Sequence, residues 1–234
     1  MVTLGTQIEA DSEPKWRDDG KSGLCPDILR AMMRKDAGLR VVWPARAVPQ
    51  RRLTAQLEHG LLDLACALGR TDERDQLFAI PPTALYEDKL VAAVRAGDHL
   101  QLRGLGDLAH LPAGDKVLVN SGARLVERLD KLGVTHVDDG GKQPADNLQK
   151  LALGRGRVFL FHEPGMAWEI HRAGLAGKLQ VLPTPLSTDP HYLMLSRQLP
   201  PQTVARIANV LLQLDKDGTL RTIAARWSYR PEKN

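Results

Sequence analysis

Residues whose types and spacing could do chemistry are sparse in this chain, and the densest group lies at 61–74. Leu61-Leu62-Asp63-Leu64-Ala65-Cys66-Ala67-Leu68 is a short apolar run of strand length that ends in Gly69-Arg70-Thr71-Asp72-Glu73-Arg74. A glycine at a strand end lets a ligand approach the backbone. A guanidinium a few residues on offers a planar fork that can hold a carboxylate through two hydrogen bonds. The chemistry expected here is anion recognition; spacing alone equally fits Arg74 as a solvated arginine in a charged loop.

Two smaller groups follow. Asn120-Ser121-Gly122 closes a strand-like run and opens a helical one, and the unpaired N–H groups and positive dipole end of such a helix favour an anion. An ordinary N-cap by Asn120 or Ser121 is the plain alternative. His162-Glu163-Pro164 follows the apolar run 158–161. Glu163 fits a helix N-terminal charge before a proline at the first position, and His162 fits a hydrogen-bonded loop histidine.

Other chemistries are excluded by missing partners. His162-Glu163 lacks the second histidine of a zinc-protease helix, because Met166 stands four residues on. The seven histidines are scattered and the two cysteines are isolated, so no metal is expected. Gly104-Leu105-Gly106 and Gly154-Arg155-Gly156 lack the glycines and context of a phosphate loop, and Gly-x-Ser-x-Gly is absent. No cofactor and no catalytic residue is expected. An oxidising compartment would permit a Cys25–Cys66 disulfide, but two buried thiols are the plainer expectation.

The elements that must position these groups alternate. Helices are expected at 26–37, 49–59, 122–132, 145–153, 164–173, 201–214 and 219–227. Strands are expected near 1–6, 40–43, 61–68, 89–95, 116–119, 134–137, 158–161, 178–182 and 191–196. That alternation argues an α/β fold with mainly parallel sheets. One block ends near 90 and a second fills roughly 95–190. The strand at 191–196 could return to the first block, giving two lobes joined by two crossing strands with a ligand cleft between them.

Composition agrees with a folded domain: 234 residues, 43% hydrophobic and 26% charged. The apolar runs fall far short of the roughly 20 residues a membrane span needs. A net charge of +4, with scattered basic residues and only four Trp, three Tyr and three Phe, argues against a nucleic-acid partner. The first six residues already read as a strand, so either the protein is cytoplasmic or a signal segment has been removed.

Taken in order, several segments resemble the bacterial extracellular solute-binding proteins of family 3. They are Asp19-Gly20-Lys21-Ser22-Gly23 through Asp27-Ile28-Leu29, Arg51-Arg52-Leu53, Leu57-Glu58-His59-Gly60, Asp63 and Thr71-Asp72-Glu73-Arg74. Asp107-Leu108, Leu153-Gly154-Arg155 and the closing Lys216-Asp217-Gly218-Thr219-Leu220, Ile223 and Trp227 complete the set. The resemblance covers essentially the whole chain. It implies a two-lobe type II periplasmic-binding-protein clamshell with two hinge strands, lobe I at 1–90 and 192–234 and lobe II at 91–191. It further implies a periplasmic, monomeric receptor, its signal peptide removed, that closes on a small carboxylate or amino acid and presents it to the permease of an ABC importer. No enzyme activity is expected.

By the same resemblance, Arg74 grips the ligand carboxylate. Gly69 and Thr71 donate backbone N–H groups, and Asn120, Ser121 and Gly122 form a second carboxylate contact. Family members usually place an Asp after the strand at 158–161 to bind the ligand ammonium; here His162 and Glu163 stand there. The stacking aromatic often found in the first lobe is not evident near Val48-Pro49. Glu163, with help from Glu9 or Asp11, could replace the Asp, or the ligand could lack an ammonium. An enzyme of the cyclohexadienyl dehydratase type and a sensor module of a larger receptor are the alternatives.

Overall fold

The computed structural model describes residues 1–227 except 11, 13, 18, 45, 113, 122–124 and 164. The strands are β1 (Val2–Gly5), β2 (Ile8–Glu9), β3 (Leu39–Val42), β4 (Ala47–Val48), β5 (Leu64–Gly69), β6 (Phe78–Ala79), β7 (Ala84–Arg95), β8 (Val117–Asn120), β9 (Val137–Gly141), β10 (Val158–Glu163), β11 (Leu179–Val181) and β12 (Ser187–Ser196). The helices are α1 (Leu24–Lys35), α2 (Gln50–Glu58), α3 (Asp72–Leu77), α4 (Leu125–Lys131), α5 (Pro144–Ala152), α6 (Gly165–Arg172), α7 (Pro201–Lys216) and α8 (Thr219–Trp227), with a 3-10 turn at Leu105–His110. The chain divides into two units. Unit 1 is Met1–Glu87 with the segment from Asp189 through α8; unit 2 is Asp88–Thr188. β7 and β12 each run from one unit into the other.

In unit 1, β1 pairs in parallel with β3 and β2 with β4, while β12 pairs antiparallel with β5 and β6. α1 presents Ile28, Leu29 and Met32, all fully buried, at the spacing of one helical face. They join Leu4, Leu64, Leu193, Leu195, Ile207 and Leu211 in one core. The other side of β5 sends Ala65 and Leu68 into a second core with Leu53 and Leu57 of α2, Phe78 and Met194. A strand covered on both faces reads as a continuous apolar run, as 64–68 does. Asp36, at the end of α1, takes two 2.6 Å hydrogen bonds from the Arg206 guanidinium of α7. Cys25 and Cys66 form a disulfide between α1 and β5, where two free thiols were expected. The cysteines are 41 residues apart but their Cα atoms are only 5.9 Å apart, a span that the usual bridge geometry accommodates.

In unit 2 the strand order is β7-β10-β8-β9, and β11 pairs antiparallel with the end of β7. The side chains alternate between two cores, as the two-residue strand period requires. Leu90, Ala92, Val94, Val117, Val119, Val158 and Leu160 meet Leu105, Leu108 and Leu129 on one face. Val91, Ala93, Leu118 and Phe159 meet Leu148, Leu151, Met166 and Ile170 on the other. Arg157 ties this sheet together through Asp98 (2.6 Å) and Asp115 (3.0 Å). Burial pushes the Asp98 carboxyl up, but the hydrogen bonds from Arg157 and the Leu100 N–H outweigh it and hold its pKa below the usual range.

Three expectations are corrected. The sheets are mixed rather than mainly parallel, because β7 and β12 pair antiparallel with the strands beside them. The strand expected at 134–137 instead occupies Val137–Gly141. Gly133, at φ 78°, closes α4: its N–H bonds to the Asp130 carbonyl and the Val134 N–H to the Leu129 carbonyl. In this Schellman ending the apolar residue after the glycine packs back on the helix, and Val134 is buried beside Leu129. The same ending at Gly60, with Leu61 N–H on the Gln56 carbonyl, delays the next strand to Leu64 and leaves Leu61 exposed.

Candidate functional site

Unit 1 builds its polar cluster at the end of β5. His191 pairs with Gly69 and Tyr192 with Leu68, whereas Met194 pairs with Ala65. β5 therefore carries one extra residue, a bulge that bends the strand, and Ala67 within it sits at φ 63°. Beyond the bulge, the Thr71 hydroxyl caps the short helix α3 by accepting the Arg74 N–H at 3.2 Å. Asp72, Glu73 and Asp75 occupy its first turn, where acidic side chains are favoured.

Arg74 is only 9% exposed, which removes the reading of it as a solvated loop residue. Its Nη1 donates to the Gly69 carbonyl at 2.6 Å and its Nη2 to Gln50 Oε1 at 3.2 Å. The Gln50 amide is itself fixed, since Nε2 donates to Glu9 Oε1 at 2.7 Å. Glu9, also buried, takes Lys15 Nζ on its other oxygen at 2.9 Å. A relay of side chains thus runs Lys15–Glu9–Gln50–Arg74 and ends on the backbone of Gly69. Arg70 turns outward, pairs with Asp75 at 2.6 Å and lies 5.9 Å from the Tyr192 ring centre. The open side of Gly69 is occupied as well: a Cβ there would lie 3.3 Å from His191 Nε2.

Unit 2 carries the remaining expected residues, and they fall into two places. Asn120 ends β8, where the buried Asn147 of α5 donates to its Oδ1 at 2.9 Å and to the Val119 carbonyl at 3.1 Å. The Ser121 N–H donates to the Gly141 carbonyl at 2.8 Å, so it is already used within the unit. Gly122 lies outside the described residues. His162 and Glu163 extend β10 opposite Leu90 and Lys89 and are not in a loop. His162 Nδ1 meets Asp88 Oδ2 at 2.5 Å; the Asp88 carboxylate is buried and the imidazole exposed. Glu163 lies 3.8 Å from Lys89 Nζ, both exposed.

Gln50, Lys15, His191, Tyr86 and Asp88 were not legible as site residues. Each is brought in by a strand register or a long-range fold, and no local spacing announces it. Among the described residues no group of three or more His, Cys, Asp or Glu is placed to hold a metal ion, and no helix is long and apolar enough to cross a membrane.

This mixed α/β architecture is that of the type II periplasmic binding proteins. The chain is similar to the probable amino-acid ABC transporter extracellular-binding protein ytmK of Bacillus subtilis, with a TM-score of 0.81, 16% identity and 97% of both chains covered. It is similar to a Wolinella succinogenes protein described as a binding component of an ABC transporter and complexed with lysine (TM-score 0.78, 17% identity, 98% of this chain and 97% of that one). It is similar also to a histidine kinase sensor domain with similarity to periplasmic binding proteins (TM-score 0.75, 20% identity, 98% of both chains). No curated protein matches. The chain belongs to the bacterial extracellular solute-binding proteins, family 3, whose family model matches residues 6–230.

Proposed function

We propose that the protein is a periplasmic, monomeric receptor that captures a small carboxylate-bearing solute, an amino acid or a related organic acid, and delivers it by hinge closure to the permease of an ABC importer. Arg74 grips the carboxylate, aided by the backbone of Gly69 and Thr71, and Asn120, Ser121, Gly122, His162 and Glu163 are the contacts of unit 2. The observation that carries this reading is the buried, doubly anchored guanidinium of Arg74 at the end of β5. An arginine held this way is oriented before a ligand arrives, which lowers the cost of binding.

The pairing of His162 with Asp88 and of Glu163 with Lys89 engages both nearby carboxylates with bases of their own unit. That supports a ligand without an α-ammonium, since a buried ammonium needs an anionic or multiple-acceptor partner. Restoring an acid with His162→Asp is expected to raise affinity for amino acids such as L-lysine.

Calorimetric titration with L-lysine, L-arginine, L-glutamine, L-glutamate, succinate and malate tests the main reading. At least one is expected to bind, and Arg74→Ala and Arg74→Lys to weaken it by about 2–5 kcal/mol. Unchanged affinity in both variants removes Arg74 from the site; no binding by any of the six refutes a receptor for small carboxylates of this kind.

One observation favours a second reading. A histidine anchored by a buried carboxylate through Nδ1 can move protons at its other nitrogen, as an enzyme of the cyclohexadienyl dehydratase type requires. Incubation with prephenate or arogenate, followed by an assay for phenylpyruvate or phenylalanine, decides it. The likeness to a kinase sensor domain supports a sensing role in place of transport; ligand-dependent binding to a permease separates the two.

A further inference from the structure

Basic residues occur throughout the chain, but their balance with acids is uneven. Residues 39–57 hold Arg40, Arg46, Arg51 and Arg52 and no Lys, Asp or Glu. The chain has 32 Lys and Arg against 28 Asp and Glu, so these four arginines equal its whole positive excess. All four are exposed, and none makes a hydrogen bond or ion pair among the described residues. They also share one side of unit 1. In β3, Leu39 and Val41 face the core they form with Leu4 and Leu64, so Arg40 and Val42 face the opposite side by the alternation of a strand. α2 lies on that opposite side, where its Leu53 and Leu57, with Val48 of β4, pack against Ala65 and Leu68 of β5. Arg46 leads into β4, and Arg51 and Arg52 stand in the first turn of α2. That turn has no acidic residue and no side-chain cap. Two positive side chains thus sit at the positive end of the helix dipole, an arrangement relieved by an anion from outside.

We propose that this side of unit 1 is an electrostatic docking surface for an anionic lipid membrane. The guanidinium fork matches the oxygens of a phosphate headgroup. What lies between the arginines favours a lipid surface over an acidic protein. Protein interfaces are anchored by large side chains, aromatic ones above all, buried at their centre. Here the exposed apolar residues between the charges are Val42, Pro44, Ala47 and Pro49. Trp43 is half-buried, with its indole N–H on the Gly20 carbonyl at 2.9 Å. Charge without an anchor, on side chains with no fixed partner, matches a surface whose own charges are mobile. Each basic residue near an anionic bilayer raises the membrane-bound fraction about fivefold. The rest of the chain carries no net charge, so the attraction is confined to one side and orients unit 1 on the membrane. A receptor held in this way stays in the plane of its permease; that consequence rests on the receptor reading above, whereas the contact itself does not.

The experiment measures co-sedimentation of the full chain with vesicles of phosphatidylcholine alone and with vesicles of equal parts phosphatidylcholine and phosphatidylglycerol. The wild type is expected to bind the mixed vesicles at least about tenfold more tightly than the neutral ones. It should be released as salt rises from about 0.05 M to about 0.5 M, because screening shortens the reach of exposed charges. Arg51→Gln with Arg52→Gln is expected to weaken binding at least about tenfold, and Arg40→Gln with Arg46→Gln likewise. Arg34→Gln with Arg221→Gln removes the same charge from exposed positions of α1 and α8, on the other side of the unit, and is expected to weaken it less than about twofold. Melting temperatures check that every variant is folded. Wild-type binding no tighter to mixed than to neutral vesicles overturns the proposal. Equal losses in the three double variants overturn it too, since net charge alone would then act. Poly-L-glutamate, added at the charge concentration of the lipid, tests the other class of partner. Binding to the vesicles is expected to persist; full release would assign the surface to an acidic protein and overturn the lipid.

Discussion

The polar groups of the two units are held in different ways. In unit 1, Glu9 and Arg74 are buried and joined through the neutral amide of Gln50, so each charge is oriented by at least one neutral partner. In unit 2, His162 sits on Asp88 and Glu163 near Lys89, an arrangement of direct pairs whose outer members are exposed. A relay through an amide fixes direction, because the oxygen and nitrogen of Gln50 cannot exchange roles without losing both bonds. An exposed pair fixes little, since solvent competes for either partner. The difference marks unit 1 as the side whose geometry exists before any ligand, and it can be tested from several directions.

The largest effect is expected from the disulfide. Closing a 41-residue separation removes denatured-state entropy worth about 4 kcal/mol in the chain-entropy account. Replacing both Cys25 and Cys66 by Ser should lower the unfolding free energy in denaturant by about that amount. A loss too small to measure would mean that α1 and β5 are held by packing alone.

Next comes the relay. Gln50→Ala removes the amide's hydrogen bonds to one oxygen of Glu9 and from Nη2 of Arg74, and should weaken carboxylate binding by about 1–3 kcal/mol while leaving α2 helical by circular dichroism. Equal affinity in the variant would show that the guanidinium is oriented without Gln50. The smallest mutational effect belongs to unit 2: Lys89→Ala should change stability by no more than about 0.5 kcal/mol, because the pair with Glu163 is long and exposed. A larger loss would contradict the contrast between the units.

Acid sharpens the contrast further. Hydrogen bonds from Arg206 and the Gly38 N–H hold the Asp36 pKa down to about 2 from 3.8. A depressed carboxyl contributes stability that is fully present above the unfolded value and is lost as pH falls through the folded one. That contribution should fade between about pH 4 and about pH 2. Asp36→Asn should flatten the melting temperature over this window relative to the wild type. Parallel curves would show that the Asp36–Arg206 contact adds nothing.

Much of the fold was legible because helix signals are local. Asp217-Gly218 marked the end of α7 and the start of α8, and Pro201 marked the start of α7. The strand starts misread at 61 and 134 share one cause, an apolar residue placed after a helix-ending glycine. Such a residue resembles the first residue of a strand in any one-dimensional pattern, and only its 6→1 hydrogen bond reveals it as the helix's last contact. In the site, Arg74 was readable from its segment. Its partner Gln50 was not, since 24 residues separate them, nor was His191, which reaches Gly69 only through the bulge at Ala67. The bulge left no mark in the sequence because alanine is an unexpected residue for a positive φ.

The bond between Cys25 and Cys66 also bears on how unit 1 breathes. Local opening normally frees a strand end a few residues at a time. Here the stretch that carries Gly69 is chained three residues upstream to the first turn of α1. Hydrogen exchange of the 64–68 amides should therefore follow that of α1 as one cooperative event, and in the reduced protein the two should separate, with β5 exchanging first.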